Sequence, residues 1–352
     1  SDTTKPTCTI SIKNGDAYTT STSVTLTLSC SDTGISPSLG CSEMKILHTA
    51  DIHFQNKPEI LEDIVRCADY LLTYASEKET PDLIVIAGDL FHESVPLDSR
   101  AAQAAVHWVI SLSKIAPVLL LKGNNTHDRN SLEVFRRIMD LWGRVYIADE
   151  IGPVFLCRQT NDLWLCGIDE LSGAPPPDAI VLIHCLPAIN KEGLIAEIEV
   201  GSITQSKAEI NNAVVDIFQM WGQDTTGLPR IVVAHGTIFG AELSSGFKMR
   251  YVDDVGFSAK DLESAGASLY CLGHIHRAQR WGNIFYSGSL VRTDFSEVED
   301  KGFWMHRLGD GLDESRFITT PTRKMFTVDL GLIDCSRPIQ HILPMPIDHF
   351  SD

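Results

Sequence analysis

The sequence predicts an α/β fold carrying a short β-rich appendage at its N-terminal end. Three observations lead there. From Met44 onward, short apolar runs alternate with segments of helical periodicity, the pattern of helices covering both faces of a sheet. Polar clusters follow the apolar runs directly, at the strand ends where open α/β sheets place their sites. Residues 1–43 differ from everything after them, with Thr and Ser alternating with Ile, Val and Leu.

The elements follow in order. TCTISIKNGDAYTTSTSVTLTLSC (7–30) reads as two strands joined by a loop with an Asn14-Gly15 turn. It resembles the opening of an immunoglobulin-like repeat, yet falls far short of the ~100 residues of a complete sandwich. SDTGISPSLG (31–40) reads as a linker. No catalytic role is expected for residues 1–43. MKILHTADIHF (44–54) opens with a strand, and EILEDIVRCADYLLTYASEK (59–78) has helical spacing. DLIVIAGD (82–89) is a buried-strand run, followed by an amphipathic segment at about 97–114. APVLLLKGN (116–124) is a third strand, with a helix expected near 131–142. Further strands are expected at 179–184, 230–235 and 268–272, and a helix near 206–221.

The chain has 352 residues, 43% hydrophobic and 21% charged, and can bury a sizeable core. No apolar run approaches the ~20 residues of a membrane helix, and SDTTKPT has no signal-peptide character, so a cytoplasmic protein is expected. Twenty-nine Lys and Arg against 46 Asp and Glu give a net charge of −17. That argues against broad binding to polyanions, which rests on phosphate neutralisation by basic side chains. The nine cysteines include no CxxC pair, and from Cys67 onward most lie among apolar neighbours, as reduced buried thiols do. Cys8, Cys30 and Cys41 fall in the appendage, where a disulfide is conceivable in an oxidising compartment.

Five clusters carry the candidate chemistry. Asp51-x-His53 puts a carboxylate and an imidazole on one side of an extended segment, able to grip one ion. Alone the pair is weak. Gly88-Asp89 offers a carboxylate at a tight strand exit, where a helix cap is an equal reading; His92 follows three residues on. Gly123-Asn124 and His127-Asp128 form the third cluster, His235 in IVVAHGT the fourth, and Gly273-His274-x-His276 the fifth. A lone strand-end His is usually structural, which also describes His184 in AIVLIHCLP.

The order of these blocks, each after a strand, resembles the calcineurin-like metallophosphoesterase superfamily. GDLFHESVP, GHIHRAQ and YSGSLVRTDFSE followed by KGF narrow the resemblance to the SbcD-type nuclease subunits of DNA double-strand-break repair. The likeness covers roughly Met44 to Arg323 and implies a β-sheet sandwich flanked by helices. The domains expected are 1–43 (appendage and linker), 44–323 (nuclease domain) and 324–352 (tail or abbreviated capping region).

The resemblance also assigns roles. Asp51, His53 and His276 would hold a first metal, Asp89 would bridge, and Asn124, His235 and His274 would hold a second. Two divalent ions, Mn²⁺ above all, suit this thiolate-free set. Such a pair, about 3.5–4 Å apart, clamps the oxygens of an in-line displacement at phosphorus. His127 would protonate the leaving oxygen, with Asp128 beside it to orient the ring, since an imidazole ordinarily titrates near neutral pH. His92 would help place the DNA. The family writes its third block as Gly-Asn-His without interruption; here Asn125 and Thr126 intervene. Asn124 is favoured over Thr126 as the ligand because the Gly-Asn turn follows the strand directly.

The function implied is a Mn²⁺-dependent DNA exonuclease and endonuclease, partnered by an SbcC-type coiled-coil ATPase and forming a homodimer. The alternatives are a small-molecule phosphodiesterase or phosphatase, and a non-catalytic DNA-end-binding protein. Lys122, Arg129, Arg136, Arg137, Arg277 and Arg280 are candidate phosphate contacts.

Overall fold

The computed structural model describes residues 7–12, 26–31, 43–128, 131–136, 144–160, 162–168, 174–189, 207–244, 256–309 and 314–325. In the appendage, β1 (Thr7–Ile12) and β2 (Leu26–Ser31) pair antiparallel, with Cys8 and Cys30 as register partners. The Asn14-Gly15 turn, the 31–40 linker beyond Ser31, and the tail from residue 326 lie outside the described residues.

The main body starts with β3 (Met44–Thr49), α1 (Pro58–Thr73), β4 (Leu83–Ile86), α2 (Arg100–Ser113), β5 (Val118–Leu121) and β6 (Val145–Ala148). Pro58, whose ring suits the first helical turn, opens α1, and the Ser99 hydroxyl caps α2 by accepting from the Ala102 amide. Then come β7 (Gly152–Gln159), β8 (Asp162–Gly167), β9 (Ala179–Leu186), α3 (Lys207–Gly222) and β10 (Arg230–His235). The chain continues through β11 (Thr237–Ile238), β12 (Gly256–Phe257), α4 (Ala259–Glu263) and β13 (Leu269–Gly273). It closes with β14 (Gln279–Trp281), β15 (Ile284–Tyr286), β16 (Gly302–Leu308) and β17 (Glu314–Thr319).

Two large sheets result. One has the order β17-β16-β3-β4-β5-β6, the other β14-β15-β13-β10-β9-β7-β8. The strands β3 to β6 run parallel, as do β9, β10, β13 and β15, which is what strand–helix alternation produces. Period-two alternation then sorts the side chains. Ile46, Val85, Leu119, Ile183, Ile231 and Cys271 meet in a core between the sheets. Leu47, Ile84, Ile86 and Leu120 face outward beneath α1 and α2, where the Trp108 indole donates to the Ala68 carbonyl at 2.9 Å. Val232, Ala234, Tyr270 and Leu272 face the opposite way, against Val214, Phe218 and Trp221 of α3. The molecule is a sandwich with helices outside each sheet.

The structure refines some expectations. Of the helix expected near 131–142, the described part is a turn leading into helical residues 133–136. The strands β7, β8, β14, β15, β16 and β17 extend both sheets beyond the apolar runs singled out from sequence. Of the described cysteines, Cys67, Cys157, Cys185 and Cys271 are free and buried, and Cys166 is half-buried. Among the described residues, no helix is long and apolar enough to cross a membrane.

Candidate metal centre

The parallel strands β3, β4 and β5 of one sheet and β10 and β13 of the other release their chains toward a common point. The first two exit loops are stitched together by backbone bonds, Asp51 N–H to Gly88 O at 3.0 Å and His53 N–H to Asp89 O at 3.1 Å. Gly88, at φ +93°, permits close approach, because a Cβ there would collide with the His235 ring. Gly123 does the same beside the Asp89 carboxylate.

Backbone strain concentrates here. Five non-Gly residues among those described have positive φ, and four of them are Asp51, His53, Asp89 and His274. Each such residue costs on the order of 1–3 kcal/mol and persists only where the surrounding structure enforces it. The fold holds these four side chains in place against local preference.

The side chains converge. One ligand atom each from Asp51, His53 and His276 lies within 4.8 Å of the other two, and the same holds for Asp51, Asp89 and His235. The Nε2 atoms of His53 and His276 face each other at 3.0 Å. Asp89 Oδ2 reaches both halves, 3.9 Å from His53 Nε2 and 3.4 Å from His235 Nε2. The Asp51 carboxylate accepts the His274 amide through both oxygens at 3.0 Å.

Asn124 joins the second half. Its amide nitrogen lies 3.1 Å from Asp89 Oδ2, 3.3 Å from His235 Nε2 and 3.2 Å from His274 Nδ1. A half-turn of the amide would bring its oxygen to the same point. Asn125 and Thr126 stand exposed on the turn that follows. The insertion is looped out while Asn124 stays in the cluster.

His127 and His92 stand at the rim. The His127 Nδ1–H donates to the His92 carbonyl, which leaves Nε2 3.8 Å from Asp89 Oδ2. The rings of His53 and His127 meet edge-on at 4.8 Å, and those of His92 and His127 lie 5.5 Å apart. His92 is exposed.

Asp128 corrects an expectation. Its carboxylate does not touch the His127 ring. It is fully buried and accepts the amides of Gly123 at 2.7 Å and of Asp89 and Phe91 at 3.1 Å each. Consecutive residues on a turn point apart, so adjacency in sequence brings the two side chains to different places. Asp128 ties the second and third loops together. His184 also lies elsewhere, stacked on Trp221 at 4.7 Å. Burial lowers its pKa to about 4.

Electrostatics match the geometry. Burial works against the charge of both Asp89 and His235, yet their mutual attraction prevails: the imidazole is raised to about 9 and the carboxyl held below its usual range. Burial above all pushes Asp51 up, aided by the Asp89 charge, and drives His53 well down, aided by His276. Burial and then the Asp89 charge raise the Asp128 carboxyl to about 7, against its backbone donors.

Two further residues, absent from the sequence-based expectations, support His276. Glu297 Oε1 accepts from its Nδ1–H at 3.1 Å. The wholly buried Lys301 ammonium donates to the His276 carbonyl at 3.0 Å, to Glu299 at 2.7 Å, and lies 3.3 Å from Glu297. Against the cost of burial, the His276 hydrogen bond and the Lys301 charge hold Glu297 down at about 2. An imidazole whose far nitrogen is fixed by a carboxylate is the usual support of a ligating His. Their signal was present in TDFSE and KGF, but with no strand end to mark them.

The donor set fits divalent ions. It offers two buried carboxylates, four imidazoles and one amide, all oxygen or nitrogen, and no thiolate. Basic side chains nearby are partly engaged: Arg136 pairs with Asp149 at 2.5 Å and Arg277 with Glu242 at 3.2 Å, and Arg280 lies over the Phe285 ring. Arg129 and Arg137 lie outside the described residues.

Comparison with known proteins identifies the family. The calcineurin-like phosphoesterase family matches residues 44–278, more than half of the chain. The SbcD component of the SbcCD nuclease of Staphylococcus epidermidis is 29% identical over 277 residues, 74% of this chain; the chain spans 65% of that relative's length. A putative phosphoesterase of Invertebrate iridescent virus 6 is 22% identical over 265 residues, 73% of this chain and 74% of its own. The solved phosphopantetheinyl hydrolase of Mycobacterium tuberculosis aligns over 70% of this chain and 89% of its own, at 13% identity and a TM-score of 0.35. On the family match and the metal-binding cradle at the meeting of two sheets, the chain belongs to the calcineurin-like phosphoesterase family, enzymes that use divalent metal ions.

Proposed function

We propose that the protein is a Mn²⁺-dependent DNA nuclease, cleaving phosphodiester bonds as exonuclease and endonuclease. It would serve as the catalytic partner of an SbcC-type ATPase and as a homodimer. The observation that carries this reading is the likeness to the SbcD component of the SbcCD nuclease, 29% identical over 277 residues. Asp51, His53 and His276 would hold one ion and Asn124, His235 and His274 the other, with the Asp89 carboxylate within reach of both groups. When bound, the ions supply Lewis acidity toward the phosphoryl oxygens and the attacking water. His127 presents Nε2 to the leaving oxygen as proton donor, its ring fixed by the His92 carbonyl. The His92 side chain, at the exposed rim, positions the strand.

One observation favours a small-molecule phosphodiester instead: the −17 net charge, together with the pairing of Arg136 and Arg277 by carboxylates. Purified protein with Mn²⁺, given linear duplex DNA and a simple phosphodiester in parallel, separates the two. Nucleotide release from duplex DNA is expected; hydrolysis of the simple ester alone would eliminate the nuclease reading.

Three further outcomes are expected. Asn124→Ala should weaken the second Mn²⁺ more than Thr126→Ala, as read by calorimetric titration, and the reverse ranking would reassign the ligand. Glu297→Gln should weaken the first ion about 10–100-fold; unchanged affinity would leave Glu297 with a purely structural part. His235, raised to about 9, carries its second proton at neutral pH in the metal-free protein, and the His276 pKa is shifted in the same direction, so both imidazoles hold that proton more tightly than a free one does. Ion uptake must displace it. Affinity should therefore rise with pH and level off above about 9, with proton release visible as a buffer-dependent heat of binding.

A further inference from the structure

A second cluster of ligating side chains lies in the core between the sheets. His48 on β3 and His306 on β16 belong to one sheet, Cys271 on β13 to the other, and none is accessible. Alternation places His48 on the same face as Ile46, and His306 on the same face as Trp304, both members of the inter-sheet core with Cys271. One ligand atom from each of the three lies within 4.8 Å of the other two. The imidazoles stack with ring centres 5.7 Å apart.

The hydrogen bonding of these rings is half complete. His48 Nε2 lies 3.2 Å from the Leu272 carbonyl, so it carries the proton and donates, and Nδ1 is left with a lone pair. His306 Nδ1 pairs with the Ser315 hydroxyl at 2.8 Å. His48 Nδ1 and His306 Nε2 have no hydrogen-bonding partner, although both are buried. Buried polar atoms in folded proteins are nearly always paired, so two unpaired ones on neighbouring rings call for an occupant. One nitrogen tied to a protein acceptor and the other bare is the arrangement of a ligating His. Burial keeps both imidazoles neutral, the form that binds metal, with His48 lowered to about 3.

We propose that His48, Cys271 and His306 form a buried site for one thiolate-preferring ion of the Zn²⁺ or Cu⁺ class, separate from the cradle. Mixed imidazole and thiolate donors select such ions over Mn²⁺ or Mg²⁺. Metal–nitrogen distances of about 2.0–2.1 Å and a metal–sulfur distance of about 2.3 Å set ligand-to-ligand edges of roughly 3.3–3.6 Å, within reach of small side-chain shifts. As the sulfur–metal bond forms, the Cys271 thiol loses its proton to solvent, and no electron changes hands. The ion's role is structural. It pins the sheets together three residues before Asp51 on one strand and three before His274 on the other.

The test uses the absence of thiolate from the cradle. The full chain is stripped with chelator, supplied with excess Mn²⁺, and titrated with Cd²⁺. A sulfur-to-metal charge-transfer band saturating at one equivalent is expected, with X-ray absorption showing one sulfur and two nitrogens around cadmium. The band should vanish in Cys271→Ser and in His306→Gln, and persist in Cys157→Ser, which breaks a close thiol pair elsewhere among the described residues, Cys157 and Cys166, 3.1 Å apart. No sulfur in the wild-type cadmium shell would overturn the proposal even if the variants failed to fold. So would a band that survives Cys271→Ser.

Discussion

His127→Ala is expected to slow phosphodiester cleavage about 10²–10⁴-fold, the usual share of a positioned general acid. Bound metal should stay near its wild-type level, since His127 stands outside the six imidazole and carboxylate ligands and Asn124. The Nδ1–H of its ring is taken by the His92 carbonyl, so only Nε2 faces the centre, 3.8 Å from Asp89 Oδ2. The diagnostic comparison is between substrates. An ester with a nitrophenolate leaving group needs no proton, so His127→Ala should cost it little, while an alkoxide leaving group should suffer the full loss. Equal losses on both esters would remove His127 from the acid role.

The second large effect is on stability. Asp128→Ala should lower the melting temperature by about 10 °C. The carboxylate answers three backbone N–H groups, of Asp89, Phe91 and Gly123, in a place water does not reach. Each buried donor left unanswered costs roughly 1–3 kcal/mol, and for a chain of 352 residues about 1–2 °C follows each kcal/mol. Asp128→Asn keeps one acceptor oxygen and should fall between. Calorimetry of the metal-free protein isolates the effect from ion binding. If Asp128→Ala lost only activity and kept its melting temperature, an orienting role toward His127 would be reinstated.

Much of the cradle was legible in linear text, because parallel strands deliver their last residues to one edge. Asp51, His53, Asp89, His235, His274 and His276 each follow an apolar run, and the structure gathers all six. The choice between Asn124 and Thr126 was open because spacing does not say which residue a turn expels. The part of Asp128 was misread because neighbours in sequence were assumed to be neighbours at the site. Glu297 and Lys301 were passed over for a different reason. They act on His276 from 21 and 25 residues downstream, in a loop whose shape no periodicity records. The edge strand β17 carries exposed and half-exposed polar residues, so its pattern resembles loop text.

The six-stranded sheet contributes Asp51, His53, Asp89 and Asn124, and the seven-stranded sheet His235, His274 and His276, across sequence separations as long as 225 residues, from Asp51 to His276. A ribosome must therefore finish almost the entire body before the complete cradle can form. The nascent chain lacks the full set of ligands while it is being made, and divalent ions cannot fill the cradle ahead of its later half. Competence arrives in one late step, when the two halves dock.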